Sequence, residues 1–398
     1  MSTSIGGSLR VRLCLRNTLR VPNVILSLVI RSPFAPRREP QRLSVTNRQP
    51  VNYGRRWLSR NFQTFLERQE PHELLTRRVA VIGAGLTGLA CARVMRRAGF
   101  YVEVFEQDRI IGGRIATTRV GMVTFDHGAQ YVTARSTQFR AYLDELAGSG
   151  YAARWMPKAV AGEKESIQML PWYVGTPGMA SIMRPLTESV RVHTGCKVHT
   201  IERSDKGWHL WFEDQTSVGP FAAIAVAVPA PQARLLLGRL DDMTEALAKA
   251  RMSPCWALMV RLDERTLPEQ DVYSDMSEVI RWIGRNSSKP GRSVKGETIV
   301  VHASQNWSRE TEDVEPDAVA EELWSEVSHI LGLAPVRPSL MTAHLWRHGL
   351  VDQSLGESYV YSSQHNVGAA GDWCLGRLAE HAFDSGSGLG RAIVASLV

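Results

Sequence analysis

Residues 78–106 constrain this 398-residue chain more than any other stretch. They read Arg78-Val-Ala-Val-Ile82, Gly83-Ala84-Gly85-Leu86-Thr87-Gly88, a helical run, then Tyr101-Val-Glu-Val-Phe-Glu106. The first five residues suit a buried central strand of a parallel sheet. The glycines then fall at GxGxxG spacing. Gly83 permits the tight turn, Gly85 lets a pyrophosphate approach the backbone, and Gly88 lets the helix pack close to the strand. Leu86 and Thr87 open a helix whose free N–H groups and positive dipole end favour phosphate. Leu86, Leu89, Ala90 and Val94 form its apolar stripe, with Arg93, Arg96 and Arg97 turned outward, and Gly99 is a natural stop. Glu106 ends the second strand, 23 residues after Gly83. A carboxylate there accepts hydrogen bonds from both hydroxyls of an adenosine ribose and repels a 2′-phosphate. Strand, glycine turn, helix, strand and acid together predict a dinucleotide site that includes Ala84 and Gln107 and does not hold NADP.

The charge of +7 points to a nucleic-acid or membrane partner only until it is located. Residues 1–66 carry twelve arginines, no lysine and one acid, Glu39; this segment holds +11, which leaves −4 on the rest. The basic balance therefore says nothing about partners, and no nucleic-acid partner is expected. Arg-rich, Ser/Thr-rich and acid-poor composition is that of an organelle transit peptide, expected over residues 1–70, disordered, with the chloroplast favoured over the mitochondrion. No apolar run approaches the roughly 20 residues that cross a bilayer. The five cysteines are odd in number, widely spaced and lack a CxxC, which argues against disulfides and zinc. HExxH, GxSxG and any Gly-Lys pair are absent, so zincin, serine-hydrolase and P-loop chemistry are excluded.

Gly112-Gly113-Arg114 follows Glu106 and resembles the second fingerprint of the FAD-containing amine-oxidase superfamily. Its glycines let a loop pass the pyrophosphate, and Arg114 supplies a charge-assisted contact. Phe125-Asp-His-Gly-Ala-Gln-Tyr131 resembles the segment that runs beside the isoalloxazine ring. Val367-Gly-Ala-Ala-Gly371-Asp372-Trp373, followed by a helix expected to begin around Ala382–Gly390, resembles the last motif. The resemblance implies that Gly371 and Asp372 hold the ribityl chain. It also places Gly388 and Leu389 at a helix N-terminus facing the flavin N1/O2 edge, and gives Val198 the adenine contact from a β-meander. The Asp-Trp-Cys374 context is not a covalent-flavin motif, so noncovalent FAD is expected.

Over residues 77–398 the chain is similar to the renalase-like, plant-type branch of that superfamily. The matching segments are 125–131, Trp172–Ser181, Trp282–Arg292, His344–Arg347 and Gly371–Cys374. Renalase-type proteins oxidise off-pathway isomers of reduced nicotinamide nucleotides and pass electrons through FAD to oxygen. The resemblance implies a small-molecule substrate and oxygen or another acceptor. Hydride transfer from a dihydropyridine needs little acid–base help, because the cofactor carries the chemistry. Gln130, Tyr131, Trp346 and Arg347 are the residues expected at the reacting centre. Arg347 either meets a substrate phosphate or carboxylate or pairs with a nearby acid. Trp256, Trp282, Trp307 and Trp346 line a pocket or fill the core, and His127 and His344 are read as hydrogen-bonded structural imidazoles. Amine oxidases place a lysine near flavin N5; none is assigned here, because Lys289 and Lys295 fall in a Gly/Pro/Ser-rich loop expected at a surface turn.

The resulting expectation is an α/β flavoprotein with a Rossmann-like FAD domain of the glutathione-reductase/amine-oxidase type and an inserted α+β substrate domain. The FAD domain takes residues 77–135, 187–235 and 362–398, and the substrate domain 136–186 and 236–361. The function expected first is FAD-dependent oxidation of a dihydronicotinamide-type substrate. The alternatives are an amine oxidase or pigment desaturase of the same superfamily, and a non-catalytic flavin-bound scaffold or redox sensor.

Overall fold

A computed structural model describes residues 77–161, 170–188, 190–292 and 295–398. The expected transit segment lies outside these residues. The first sheet has six strands: β1 (Arg78–Ile82), β2 (Tyr101–Phe105), β8 (Arg191–His193), β12 (Ala223–Val226), β18 (Val360–Ser362) and β19 (Val367–Ala369). Their order is β18-β19-β12-β1-β2-β8, parallel except for β18 against β19. β1 is buried throughout. Its alternate side chains enter two cores, Val79 and Val81 on one face and Ala80 and Ile82 on the other, as a parallel strand covered on both sides requires.

Helices α1 (Leu86–Arg97) and α4 (Ala379–Leu397) cover the first face. They cross closely because Gly386 and Gly390 carry no Cβ: an added Cβ would lie 2.1 Å from the Thr87 oxygen and 2.8 Å from the Cys91 oxygen. Phe139, Tyr142, Leu143 and Leu146 of α2 (Thr137–Gly148) join the same core. So do Trp155 of β5 (Ala152–Trp155) and Tyr173 and Val174 of β7 (Trp172–Gly175), the two strands of a small sheet. The packing thus shows no break at residue 136. The opposite face is covered by the meander β9 (Val198–Ser204), β10 (Gly207–Phe212) and β11 (Ser217–Phe221), through Ile201, Trp208, Leu210 and Phe221.

The second six-stranded sheet runs β17-β13-β16-β15-β14-β6. Its strands are β6 (Ala159–Ala161), β13 (Arg251–Leu262), β14 (Val272–Ser274), β15 (Ile280–Arg285), β16 (Glu297–Ala303) and β17 (Leu340–Gln353). Strand alternation divides its side chains. Leu258, Val260, Ile283, Ile299 and Val301 pack on Val319, Leu323 and Val327 of α3 (Pro316–Ile330). Met259 and Val300, on the other face, meet Val123 and Phe125 of the hairpin β3 (Thr118–Val120) and β4 (Val123–Phe125). A transverse row Trp282–His302–Ala257–His344 shares that face.

A buried ion ladder crosses three strands of the first sheet. Glu103 on β2 accepts from Arg78 Nε at 2.8 Å and Nη2 at 2.6 Å on β1, and lies 2.9 Å from His193 Nε2 on β8. Burial raises the Glu103 pKa, but the His193 hydrogen bond and the Arg78 charge outweigh it and the net shift is downward. The ladder therefore stabilises the fold above the ordinary carboxylate range, and this contribution fades as pH falls through the lowered native value. Replacing Glu103 by Gln takes its carboxylate from the buried Arg78 and His193 and should cost about 3 kcal/mol in urea unfolding at pH 7. The gap from wild type should narrow in acid. Equal stability of the two proteins at pH 7 would show that the ladder contributes nothing.

Candidate flavin site

The glycine turn has three distinct geometries. Gly83 sits at φ +103°, which a β-carbon disfavours. A Cβ on Gly88 would lie 2.0 Å from the Gly83 oxygen, so the helix can start this close to β1 only with glycine. A Cβ on Gly85 would meet nothing within 4 Å. That open space lies at the N-terminus of α1, whose N-cap is Gly85 itself. Leu86 and Thr87 begin the helix and are buried. Gly112 and Gly113 pass directly over this turn: Gly112 N donates to Ala84 O at 3.0 Å, and a Cβ on Gly113 would come 3.7 Å from Gly85 Cα. Glu106 accepts from Ala84 N at 2.8 Å and Asp108 N at 3.0 Å, which leaves acceptor capacity on a carboxylate with two oxygens. Burial raises its pKa. Gln107 is exposed beside it. Cys196 N donates to Glu106 O at 2.7 Å, so the chain entering β9, with Val198 at its first position, starts at the same strand end.

Arg114 and Asp372 form a bidentate pair, with both N–H···O distances 2.7 Å. Arg114 also donates to Gly349 O at 3.3 Å. Gly371 N donates to Ser385 Oγ at 3.0 Å, and a Cβ on Gly371 would strike the Trp373 indole. The expected placing of Gly388 and Leu389 at a helix N-terminus is corrected here. α4 begins at Ala379, so both residues lie in its third turn. Leu389 is core against Gly368, and Gly388 faces Tyr359. The glycines there serve helix crossing, and the first turn of the helix lies at Ala379–Ala382, where His381 N and Ala382 N donate to Leu378 O. Cys374 is fully buried in the core, and burial pushes its thiol up to about 12.

The 126–131 turn continues from Arg114. Ala129 N donates to Arg114 O at 2.8 Å, and Gly128 passes so close that a Cβ would lie 2.0 Å from that oxygen. The second sheet seats on this turn. His302 Nε2 and Trp346 Nε1 each lie 3.1 Å from the His127 carbonyl oxygen. His344 and Trp346 flank the His127 ring at centroid distances of 5.0 and 4.8 Å. Burial and the neighbouring His344 and His302 lower His127 to about 4, and His302 also falls to about 4 through burial, so both rings are neutral at pH 7. Tyr131 stacks on Trp172 at 3.9 Å, beside Trp282 at 5.6 Å.

Beneath the turn lies a charge cluster that contradicts the expected surface loop. Lys289 is fully buried, with Nζ 3.3 Å from Asp126 Oδ2 and 3.0 Å from Gln130 Oε1. Arg292 Nη2 reaches Asp126 Oδ2 at 2.5 Å. Lys295 is exposed, as expected. Asp126 Oδ1 accepts from Thr117 Oγ1 at 2.8 Å and Met179 N at 2.9 Å. Burial raises the Asp126 pKa, but the Lys289 and Arg292 charges hold it below the usual range. Burial lowers Lys289 to about 8. The only sequence signal was Asp126 itself, an acid needing a cation, inside a motif.

Of the four residues expected at the reacting centre, Tyr131 and Trp346 lie among the aromatic rings around the 126–131 turn. Gln130 is buried and occupied: its Nε2 donates to Asp126 O at 2.5 Å and Gly128 O at 3.0 Å, and its Oε1 receives Lys289. It braces the turn and does not face outward. Arg347 alternates to the opposite sheet face and pairs with Glu312 at 2.8 Å, 60% exposed, so the acid-pairing alternative holds for it.

The βαβ turn, the paired glycine loop and the second sheet over its far end define a dinucleotide-binding oxidoreductase. Residues 147–369, more than half of the chain, match the flavin containing amine oxidoreductase family, and residues 81–146 match an NAD(P)-binding Rossmann-like domain. The chain belongs to that amine oxidoreductase family and is a flavin-dependent enzyme. It is 27% identical to mouse renalase over 177 residues, 42% of this chain and 51% of renalase. It is 37% identical to the chloroplastic/mitochondrial protoporphyrinogen oxidase 2 of Arabidopsis thaliana over 70 residues, 18% of this chain and 14% of that enzyme. The chain thus spans about half the length of one curated relative and a small part of the other. Its fold is that of cyclohexylamine oxidase from Brevibacterium oxydans IH-35A, with TM-score 0.63 and 14% identity over 80% of this chain and 99% of that one. Among the described residues no helix is long and apolar enough to cross a membrane.

The cradle fits a flavin dinucleotide. Open space over Gly85 suits a pyrophosphate, Glu106 retains acceptors for a ribose, and Arg114 with Asp372 stands between that space and the aromatic turn. Gly85 is extended at φ −78°, a conformation valine tolerates. The Gly85→Val protein should therefore melt within about 1 kcal/mol of wild type yet purify colourless. A yellow Gly85→Val protein at full occupancy would place the cofactor elsewhere.

Proposed function

We propose that this enzyme binds FAD noncovalently and oxidises a small substrate through a planar, uncharged ring, with a dihydronicotinamide nucleotide as the first choice and oxygen as the acceptor. The observation that carries this reading is the wall beyond Arg114 and Asp372. It consists of neutral imidazoles and aromatic rings: His127, His344, Trp346, Tyr131 and Trp282. Bound FAD would supply the two-electron acceptor. The protein's part is to position and desolvate. Gly83, Ala84, Gly85, Leu86, Thr87, Gly88 and Gly113 would hold the pyrophosphate, Glu106 the ribose, Val198 the adenine, and Arg114, Gly371 and Asp372 the ribityl chain. The buried Cys374 thiol, kept protonated, favours noncovalent binding. His127 and His302 are neutral at pH 7 and hold no imidazolium proton to give as general acids, which suits a substrate that transfers hydride without acid help.

The partial likeness to renalase supports the same substrate. A second reading, amine oxidation, draws on buried Lys289, the residue type amine oxidases place near the flavin, and on the likeness in fold to an amine oxidase. Against it, Lys289 is committed to Asp126 and Gln130. The composition of the arginine-rich first 66 residues supports an organellar location, with the chloroplast favoured over the mitochondrion.

The test is anaerobic mixing of the yellow protein with isomers of reduced nicotinamide nucleotides and, separately, with primary amines. Bleaching within seconds by a dihydronicotinamide, and none by amines, is the expected outcome. Bleaching by amines alone would overturn the substrate assignment. A spectrum that no reductant of either class changes would favour a flavin-bound scaffold or redox sensor.

A further inference from the structure

A fully buried lysine needs a reason, because taking an ammonium out of water costs several kcal/mol. Lys289 lies in the loop that follows β15, part of the second sheet. Asn286, in the same loop, donates to Thr124 O at 3.1 Å and accepts from Asp126 N at 3.4 Å. Arg292 closes the loop onto Asp126 and, at 2.5 Å, onto Gly175 O. One loop of the second sheet thus grips the 124–130 segment at three points. Arg292 and Lys289 both reach the Asp126 carboxylate, and Lys289 also reaches the Gln130 amide oxygen.

Gln130 converts that contact into backbone geometry. Its amide nitrogen ties together the Asp126 and Gly128 carbonyls, four and two residues behind it. Gly128 and Ala129 are the residues pressed on the Arg114 carbonyl. Arg114 in turn holds Asp372. An unbroken path of contacts therefore runs from Lys289 through Gln130 and the turn to the Arg114–Asp372 pair.

We propose that Lys289 is a positioning residue that locks Gln130, and through it holds the 126–130 turn against the flavin cradle, coupling the second sheet to retention of FAD. Its Nζ is bonded to Asp126 and Gln130, so it acts through them. The inference rests on the flavin site described above. The charged groups facing Lys289 are Asp126 of the turn and Arg292 of its own loop. His302 on β16 also faces it and is neutral, and the Trp155 ring of β5 lies 5.5 Å from Nζ. Two cations share one carboxylate, so loss of the Lys289 proton relieves crowding by Arg292 but weakens its bond to Gln130. With Lys289 near 8, the turn is held most firmly below that pH and less firmly above it.

The test is the rate of FAD release from the full-length holoprotein, followed by flavin fluorescence after dilution between pH 7 and 9.5. In wild type the rate should rise about fivefold, with its midpoint near pH 8, the change expected when a charge-assisted hydrogen bond becomes a neutral one. In Lys289→Met the rate should be about tenfold faster at pH 7 and show no step. Gln130→Met keeps the Lys289–Asp126 pair and cuts the path, so it should also release FAD faster and lose the step. It serves as the test should Lys289→Met fail to fold. A flat wild-type profile, or a step that survives either substitution, would overturn the proposal. A colourless wild-type protein would instead fail the flavin reading itself.

Discussion

The carbonyl oxygen of His127 accepts from two donors of the second sheet, His302 on β16 and Trp346 on β17. A carbonyl has two lone pairs, and both are used. This fixes where the sheet sits on the turn, and with it every side chain on that sheet face. Met259 and Val300 then meet Val123 and Phe125, and the Trp282–His302–Ala257–His344 row falls over the turn. Polar contacts at the turn set the register, and apolar contact beside it supplies the area. A slip of one residue along β17 would exchange Trp346 for Arg347 and place a guanidinium over the His127 ring.

The cradle below obeys a different constraint, close approach of backbones. Gly88 against Gly83, Gly128 against Arg114, and Gly386 against Thr87 each leave no room for a methyl group. These three contacts bring α1, the turn and α4 to the same strand ends. Such packing leaves few adjustable parts, so the polar groups around it hold fixed positions before any ligand arrives. That is the preorganisation an electrostatic or positioning mechanism needs.

The sequence was most legible where chemistry is local. Gly83, Gly85 and Gly88 each show the geometry their spacing implied, because a strand–turn–helix unit is specified by neighbours in the chain. The separate segments 125–131, 172–181, 282–292 and 344–347 had no visible mutual meaning. In the fold they meet: Met179 and Arg292 both bond Asp126, Tyr131 stacks on Trp172, and Trp346 bonds His127. What could not be read was the direction and depth of side chains set by tertiary contact. Lys289 sits among Ser, Pro and Gly, the composition of an exposed turn, and is buried because Asp126 lies over it. Gly388 and Leu389 were misplaced because the resemblance put the start of the final helix around Ala382–Gly390, whereas α4 begins at Ala379 and tolerates its glycines for the sake of its crossing with α1. Arg347 was misplaced because strand alternation, with a register shift between β13 and β17, decides its face.

The cluster at Asp126 shows why such a site keeps charge where apolar residues would pack with less penalty. Replacing a buried ion set by hydrophobic side chains is often neutral or stabilising. Stability alone therefore does not account for Asp126, Lys289 and Arg292. A hydrophobic substitute would bury similar area and would specify no direction. Asp126, in contrast, accepts from Thr117, Met179, Lys289 and Arg292, four groups from three separate parts of the chain. Each bond fixes an angle as well as a distance. The carboxylate thus aligns the hairpin, the 172–181 segment and the 286–292 loop about one point, directly beneath the turn that carries His127. Precision beneath the turn is the property that an uncharged core could not supply, and it is the property that any mechanism resting on position requires.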